Sequence, residues 1–163
     1  MTDSLTRTAL QSPSVPAGLA VAVQELPLRG MLSMRGDLAN PAIAAAVQMA
    51  VGQTMPGPLG TSGDGTARVL WMSPDELLLM LPHREAAEKT QVLRQSLTGH
   101  VASVTDVSDA RQVFEVKGEG AREVLAKGTP IDLHPAAFRL GQFRRTRVGA
   151  VAAGLYLTAD SPD

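Results

Sequence analysis

The chain has 163 residues and a mass of 17.1 kDa, long enough to bury one real core and too short for two full domains. Hydrophobic residues make up 44% and charged ones 19%, which excludes a disordered charged segment; aromatics are only 3%, so the core must be built from Leu, Val, Ala and Met. The lack of cysteine excludes a disulfide framework, a thiolate nucleophile, a CxxC redox pair and Cys-based metal sites, and a net charge of −1 argues against a globally basic nucleic-acid binder.

Residues 1–17 are polar and aperiodic, with no apolar run of signal-peptide length, and read as a flexible tail. No stretch approaches the roughly 18 apolar residues of a membrane span, so a soluble, cytoplasmic chain is expected. Leu19, Val21 and Val23 alternate with small residues as in a strand. A second strand follows Pro27: Leu28, Gly30, Leu32 and Met34 share one face, while Arg29, Ser33 and Arg35 share another that is expected to be wet or covered by a partner.

Asn40-Pro41 is a helix start, since Asn caps free amides and proline suits the first turn. Ile43, Val47 and Val51 repeat at helical spacing until Gly52. Residues 52–66 (GQTMPGPLGTSGDGT) read as an irregular exposed loop. In ARVLWMSPDELLLMLP, residues 67–82, the apolar run is too short for a helix before Pro82. Ser73 to Asp75 is therefore a turn between two buried strands. A helix over residues 84–97 puts Ala86, Thr90, Leu93 and Leu97 inward and ends at Gly99; a strand over 101–107 follows.

The order from Leu28 is strand, helix, strand, strand, helix, strand. Beyond it, residues 111–117 read as a strand, 118–127 as a short helix with Ala121, Val124 and Leu125 inward, and 143–157 as one or two strands. The expected class is thus α+β: a ferredoxin-like βαββαβ unit over residues 18–109, then a second, incomplete βαβ-type subdomain over 110–163.

The catalytic inventory is thin. His83, His100 and His134 lack metal-ligand spacing, no GxSxG elbow occurs, Asp106 and Asp109 around Ser108 read as turn chemistry, and GTSGDG has no phosphate-loop Lys. The most unusual stretch is TPIDLHPAAFRLGQFRRTRV, residues 129–148. Arg139, Arg144, Arg145 and Arg147 crowd together there, and no acid follows Asp132 until Asp160. A negative counterpart is expected: acidic side chains of a partner, a carboxylated small molecule or a nucleic-acid backbone. The plain alternative is a solvated strand face, with Asp132 serving only as a turn residue before His134. Asp132, His134, Phe138 and the four arginines are the candidate partner-binding residues.

Three pieces carry a resemblance: IDLHPAAF followed by RRTRVGAVAAGL (residues 131–138 and 144–155), MRGDLANPAIAAAV (34–47) and WMSPDELLLMLP (71–82). In their order and spacing along the chain they resemble the gamma subunit of heterotetrameric sarcosine oxidase over roughly residues 19–157. The resemblance implies a subunit of a complex that converts sarcosine, tetrahydrofolate and O2 into glycine, methylenetetrahydrofolate and H2O2. It also implies a fold like the folate-binding domain of the glycine-cleavage aminomethyltransferase. FAD, FMN, NAD and tetrahydrofolate are then expected in the other subunits and none in this chain. Its partners would be the alpha, beta and delta subunits, with no nucleic acid and no membrane, and the role would be assembly and stability. No catalytic residue is carried over. Similar chains continue past the equivalent of Ser161-Pro162-Asp163 into a strand and a closing helix, so the second subdomain is expected to lack both. That would leave an open sheet edge and favour self-association of the isolated chain. A stand-alone folate-binding or one-carbon transfer protein is the alternative; RNA binding is weakened by the charge and the few aromatics.

Overall fold

The computed structural model describes residues 20–160. The expected tail, Leu19 and residues 161–163 lie outside that range. The main body is a five-stranded antiparallel sheet, built from β2 (Arg29–Gly36), β3 (Thr61–Gly63), β4 (Arg68–Ser73), β5 (Glu76–Pro82) and β6 (Ala102–Asp106) in the order β3-β4-β5-β2-β6. Helices α1 (Pro41–Val51) and α2 (Ala86–Ser96) pack together on one face.

Helix α1 follows the sequence signals closely. The Asn40 side chain accepts from the Ala42 amide at 2.9 Å, Pro41 opens the first turn, and Gly52 closes the helix in the left-handed region at φ 70°. Ile43, Ala46, Val47 and Ala50 are buried against Leu32, Met34, Leu77, Leu79 and Leu81 of the sheet. On α2 the inward residues are Ala86, Thr90 and Leu93, and the buried Thr90 hydroxyl donates to the Ala86 carbonyl at 2.7 Å. Arg94 donates twice to the Val104 carbonyl, at 3.1 and 2.8 Å, tying the helix to the outer strand β6.

The turn between β4 and β5 lies where ARVLWMSPDELLLMLP placed it. β5 is buried on both faces, which accounts for its unbroken ELLLML run. Leu77, Leu79 and Leu81 meet the helices. Leu78 and Met80 join Met31, Leu70, Met72 and Phe143 in a second cluster on the opposite face. The expectation of a wet or partner-covered face on β2 holds at Arg35, which is exposed, and is corrected around Met31, where the chain covers itself with Phe143, Val107, Val113 and Tyr156. Farther along that face, Ser33 and Arg35 each donate to the buried Glu76 carboxylate at 2.9 Å. The short β3 falls inside the stretch read as irregular loop; it forms by pairing with β4, and Asp64 accepts the Thr66 and Ala67 amides in the connecting turn.

The later part of the chain departs from a second βαβ pattern. Strand β7 (Phe114–Lys117) pairs antiparallel with β1 (Ala22–Glu25), across the boundary expected at residue 109/110. Helix α3 (Ala121–Ala126) is short, and Val124, expected inward, is 38% exposed because six residues cannot bury a full face. Strands β8 (Phe143–Val148) and β9 (Val151–Tyr156) form a hairpin of their own. Its two-residue loop starts with Gly149 at φ 59°, the sign a tight hairpin turn of the II′ type requires first. The hairpin joins the main sheet where Gly60 bridges Gln142, the Phe143 amide donates to the Leu59 carbonyl at 2.7 Å, and the Thr61 amide donates to Gly141 at 2.9 Å.

Candidate interaction surface

Of the seven residues singled out in the sequence, Asp132, His134, Phe138 and Arg139 lie between α3 and β8, and Arg144, Arg145 and Arg147 lie on β8. Asp132 accepts the His134 amide at 2.8 Å, the local turn that Asp favours, and His134 Nδ1 accepts the Ala136 amide at 3.1 Å. The His134 carbonyl takes amides from Ala137 and Phe138 at 2.8 and 2.9 Å, winding one short turn that drives Phe138 into the interior. Phe138 is thus a packing residue, while Asp132 and His134 stand exposed at the surface.

The arginines are placed by backbone carbonyls. Arg139 donates through Nε to the Ala136 carbonyl at 3.1 Å, and Arg145 donates to the Met72 carbonyl at 3.1 Å. Arg144 donates to the carbonyls of Phe143 and Leu59 at 3.0 and 3.3 Å, and its guanidinium lies 5.9 Å from the centre of the Phe138 ring. Arg147 is exposed on β8. None of the ion pairs among the described residues uses these four side chains. Part of the cluster is therefore internal fastening: Arg145 ties the hairpin to β4, and Arg144 ties it to residue 59. Arg139, Arg145 and Arg147 are exposed and keep donors beyond these bonds, and Leu59 and Leu140 are exposed as well.

Arg122 organises this segment and went unnoticed in the sequence. Its Nη1 donates to the carbonyls of Leu133 and Phe138 at 2.6 and 3.0 Å, and Nη2 pairs with Asp160. Arg68 likewise stacks 4.9 Å from the centre of the Tyr156 ring, joining β4 to β9. The partners of Arg122 are mostly backbone oxygens, which leave no mark in a sequence. The one readable signal was Asp160, the isolated acid closing the acid-free stretch.

Elsewhere the polar chemistry is structural. Asp106 accepts the Ser108 amide at 3.0 Å, and the Ser108 hydroxyl accepts the Met31 amide at 3.0 Å, so TDVSDA is a turn. Two carboxylates are held below their ordinary range. The Thr66 and Ala67 amides lower Asp64, and the Ser73 hydroxyl, with Arg35 alongside, lowers Asp75. Among the described residues no three His, Asp or Glu side chains gather as a metal site, and no helix is long and apolar enough to cross a membrane.

Comparison with known proteins gives a consistent picture. The profile described as "Sarcosine oxidase, gamma subunit family" matches residues 35–154. A sarcosine oxidase subunit gamma from Arthrobacter sp. is 33% identical over 144 residues, covering 86% of this chain and 69% of that protein. Its counterpart from Corynebacterium sp. strain U-96 is 33% identical over 93% of this chain and 74% of its own length. The one from strain P-1 is 38% identical over 71% of this chain and 57% of its own length. In the solved heterotetrameric sarcosine oxidase from Corynebacterium sp. U-96, in complex with pyrrole 2-carboxylate, one chain superimposes with a TM-score of 0.77 at 30% identity, over 86% of this chain and 71% of that one. The glycine cleavage system aminomethyltransferase T from Bartonella henselae gives a TM-score of 0.52 at 12% identity, over 76% of this chain and 35% of that one, a likeness of fold alone.

Proposed function

The chain belongs to the sarcosine oxidase gamma subunit family, and on that premise we propose that it acts within a heterotetrameric sarcosine oxidase as the subunit that supports assembly and stability rather than chemistry. The observation that carries this reading is the superposition on a chain of the solved heterotetramer over 86% of the present chain. The titratable groups agree with it: Asp64, Asp75, Glu76 and Asp106 are all engaged in turns and strand pairing. The strand order β4-β5-β2-β6, with a helix before β4 and another before β6, supports assigning this part of the sheet to the ferredoxin-like class.

In this reading the partners are the alpha, beta and delta subunits. FAD, FMN, NAD and tetrahydrofolate reside in them, and the complex works in the cytoplasm on sarcosine, tetrahydrofolate and O2. The exposed donors of Arg139, Arg145 and Arg147, beside Asp132 and His134, are where acidic groups of a neighbouring subunit would sit. The folate-binding alternative is less favoured, since the likeness to the aminomethyltransferase is of fold alone, at 12% identity, whereas the chain of the solved sarcosine oxidase matches at 30%.

Co-expression with the flavin-binding and NAD-binding subunits tests the proposal. The chain is expected to co-purify in one complex, and the complex without it to assemble less completely. Sarcosine oxidation by the isolated chain, or tetrahydrofolate binding by it in calorimetry that is lost in Arg145→Ala, would overturn the assignment.

A further inference from the structure

A groove enclosing about 540 Å³ lies on the surface far in sequence from the arginines of residues 139–147, lined by Leu38, Met55, Trp71, Pro74 and the run Pro56-Gly57-Pro58. Trp71, the chain's single tryptophan, has one side against the main core and is still only half-buried. The walls offer few hydrogen bonds: the three prolines have no N–H, and the Gly57 carbonyl is taken by the Gly60 amide at 3.0 Å. A strand could not add itself here through backbone pairing, so an occupant would be held by its side chains.

The groove is also firmly built. The Ser62 hydroxyl donates to the Thr54 carbonyl, Gly60 bridges Gln142, and the Gly36 amide donates to the Asp75 carbonyl at 3.0 Å. That last bond brings the turn holding Leu38 beside the turn holding Pro74. Each of these lining residues has an exposed aspartate as its neighbour in the chain, Asp37 and Asp75. Asp75 is paired with Arg35 at 3.5 Å, Asp37 is in none of the ion pairs among the described residues, and no Lys or Arg lines the groove itself, so this end of the groove is net negative.

We propose that the Trp71 groove is a second docking site, taking a segment of a partner subunit that inserts an apolar side chain beside Trp71 and sets a Lys or Arg against Asp37 and Asp75. A half-buried tryptophan in a preformed apolar groove, with a net negative charge at one end, is the arrangement that concentrates binding energy in protein interfaces. The inference rests on the reading of this chain as an assembly subunit.

Hydroxyl-radical footprinting of the chain, free and in the complex co-expressed with the other subunits, is the test. Trp71 and Met55 are expected to oxidise about fivefold or more slowly in the complex, as solvent is excluded from them. The double variant Asp37→Asn/Asp75→Asn keeps the turn-forming side-chain oxygens. It is expected to lower the thermal midpoint of the free chain only slightly, through the lost Asp75 contribution and Arg35 pair, yet associate about tenfold more weakly at low salt, the difference closing at high salt. Entry into the complex with Trp71 and Met55 as reactive as in the free chain would overturn the groove proposal and leave the assembly reading intact. Failure to enter any complex would remove both. Protection that grows with the concentration of the isolated chain would make a second copy the occupant, and wild-type association by the double variant would remove the cationic partner. Either result overturns the proposal as stated.

Discussion

Gly154 shows how tightly the hairpin fits itself. A Cβ at this position would lie 2.6 Å from Cε2 of Phe143, whose ring covers the bare backbone of β9. Alanine ordinarily improves a strand over glycine. Gly154→Ala is expected instead to destabilise the protein by about 1–3 kcal/mol, because Phe143 is 2% exposed and has nowhere to move. Urea unfolding measures this, and a smaller ring substitute, Phe143→Leu, should recover part of the loss in the double variant. Asp64 and Asp75 make the acid side of the stability curve readable. Their folded-state pKa values lie below the ordinary 3.8, so their contribution is complete above that value and disappears as pH falls through the lower folded-state values. Urea midpoints should therefore drop as pH falls below about 4, and Asp64→Asn/Asp75→Asn should flatten that slope.

The loop before β8 depends on α3 through one side chain. Arg122→Ala frees the Leu133 and Phe138 carbonyls together with Asp160, so faster amide exchange is expected across residues 131–143, with a loss of about 1–3 kcal/mol. Arg122→Lys should restore little, because an ammonium cannot span two carbonyls and a carboxylate with a planar fork. The same contrast explains what the sequence could and could not disclose. Helix α1 was legible because its signals are local: Asn40 caps it, Pro41 starts it and Gly52 ends it. The β4–β5 turn was legible because Pro82 limits the apolar run. β3 was hidden, since three residues become a strand only through the β4 partner. The arginines of residues 139–147 were conspicuous as charges, but their acceptors at Ala136, Phe143, Leu59 and Met72 are backbone oxygens that any residue supplies.

At the scale of the whole chain, the five-stranded sheet serves two cores. The helices seal one face, and Phe143 and Tyr156 of the terminal hairpin help to seal the other. The proposed partner contacts consequently fall at the margins, on the arginine-bearing hairpin and the Trp71 groove, so that a chain proposed to serve assembly still closes its own interior. The β1–β7 ribbon adds a constraint of another kind. Val23 faces Val116 across most of the described chain, with the complete five-stranded sheet lying between them in sequence. As the chain leaves the ribosome, β1 emerges first and finds no mate until β7 has been made, by which time β2 to β6 can already have paired. Closing so long a loop is unfavourable in a loose chain and far less so once the intervening residues are folded. The strand translated earliest among the described elements is thereby among the last to settle, and until then its edge stays open to whatever else the cell presents.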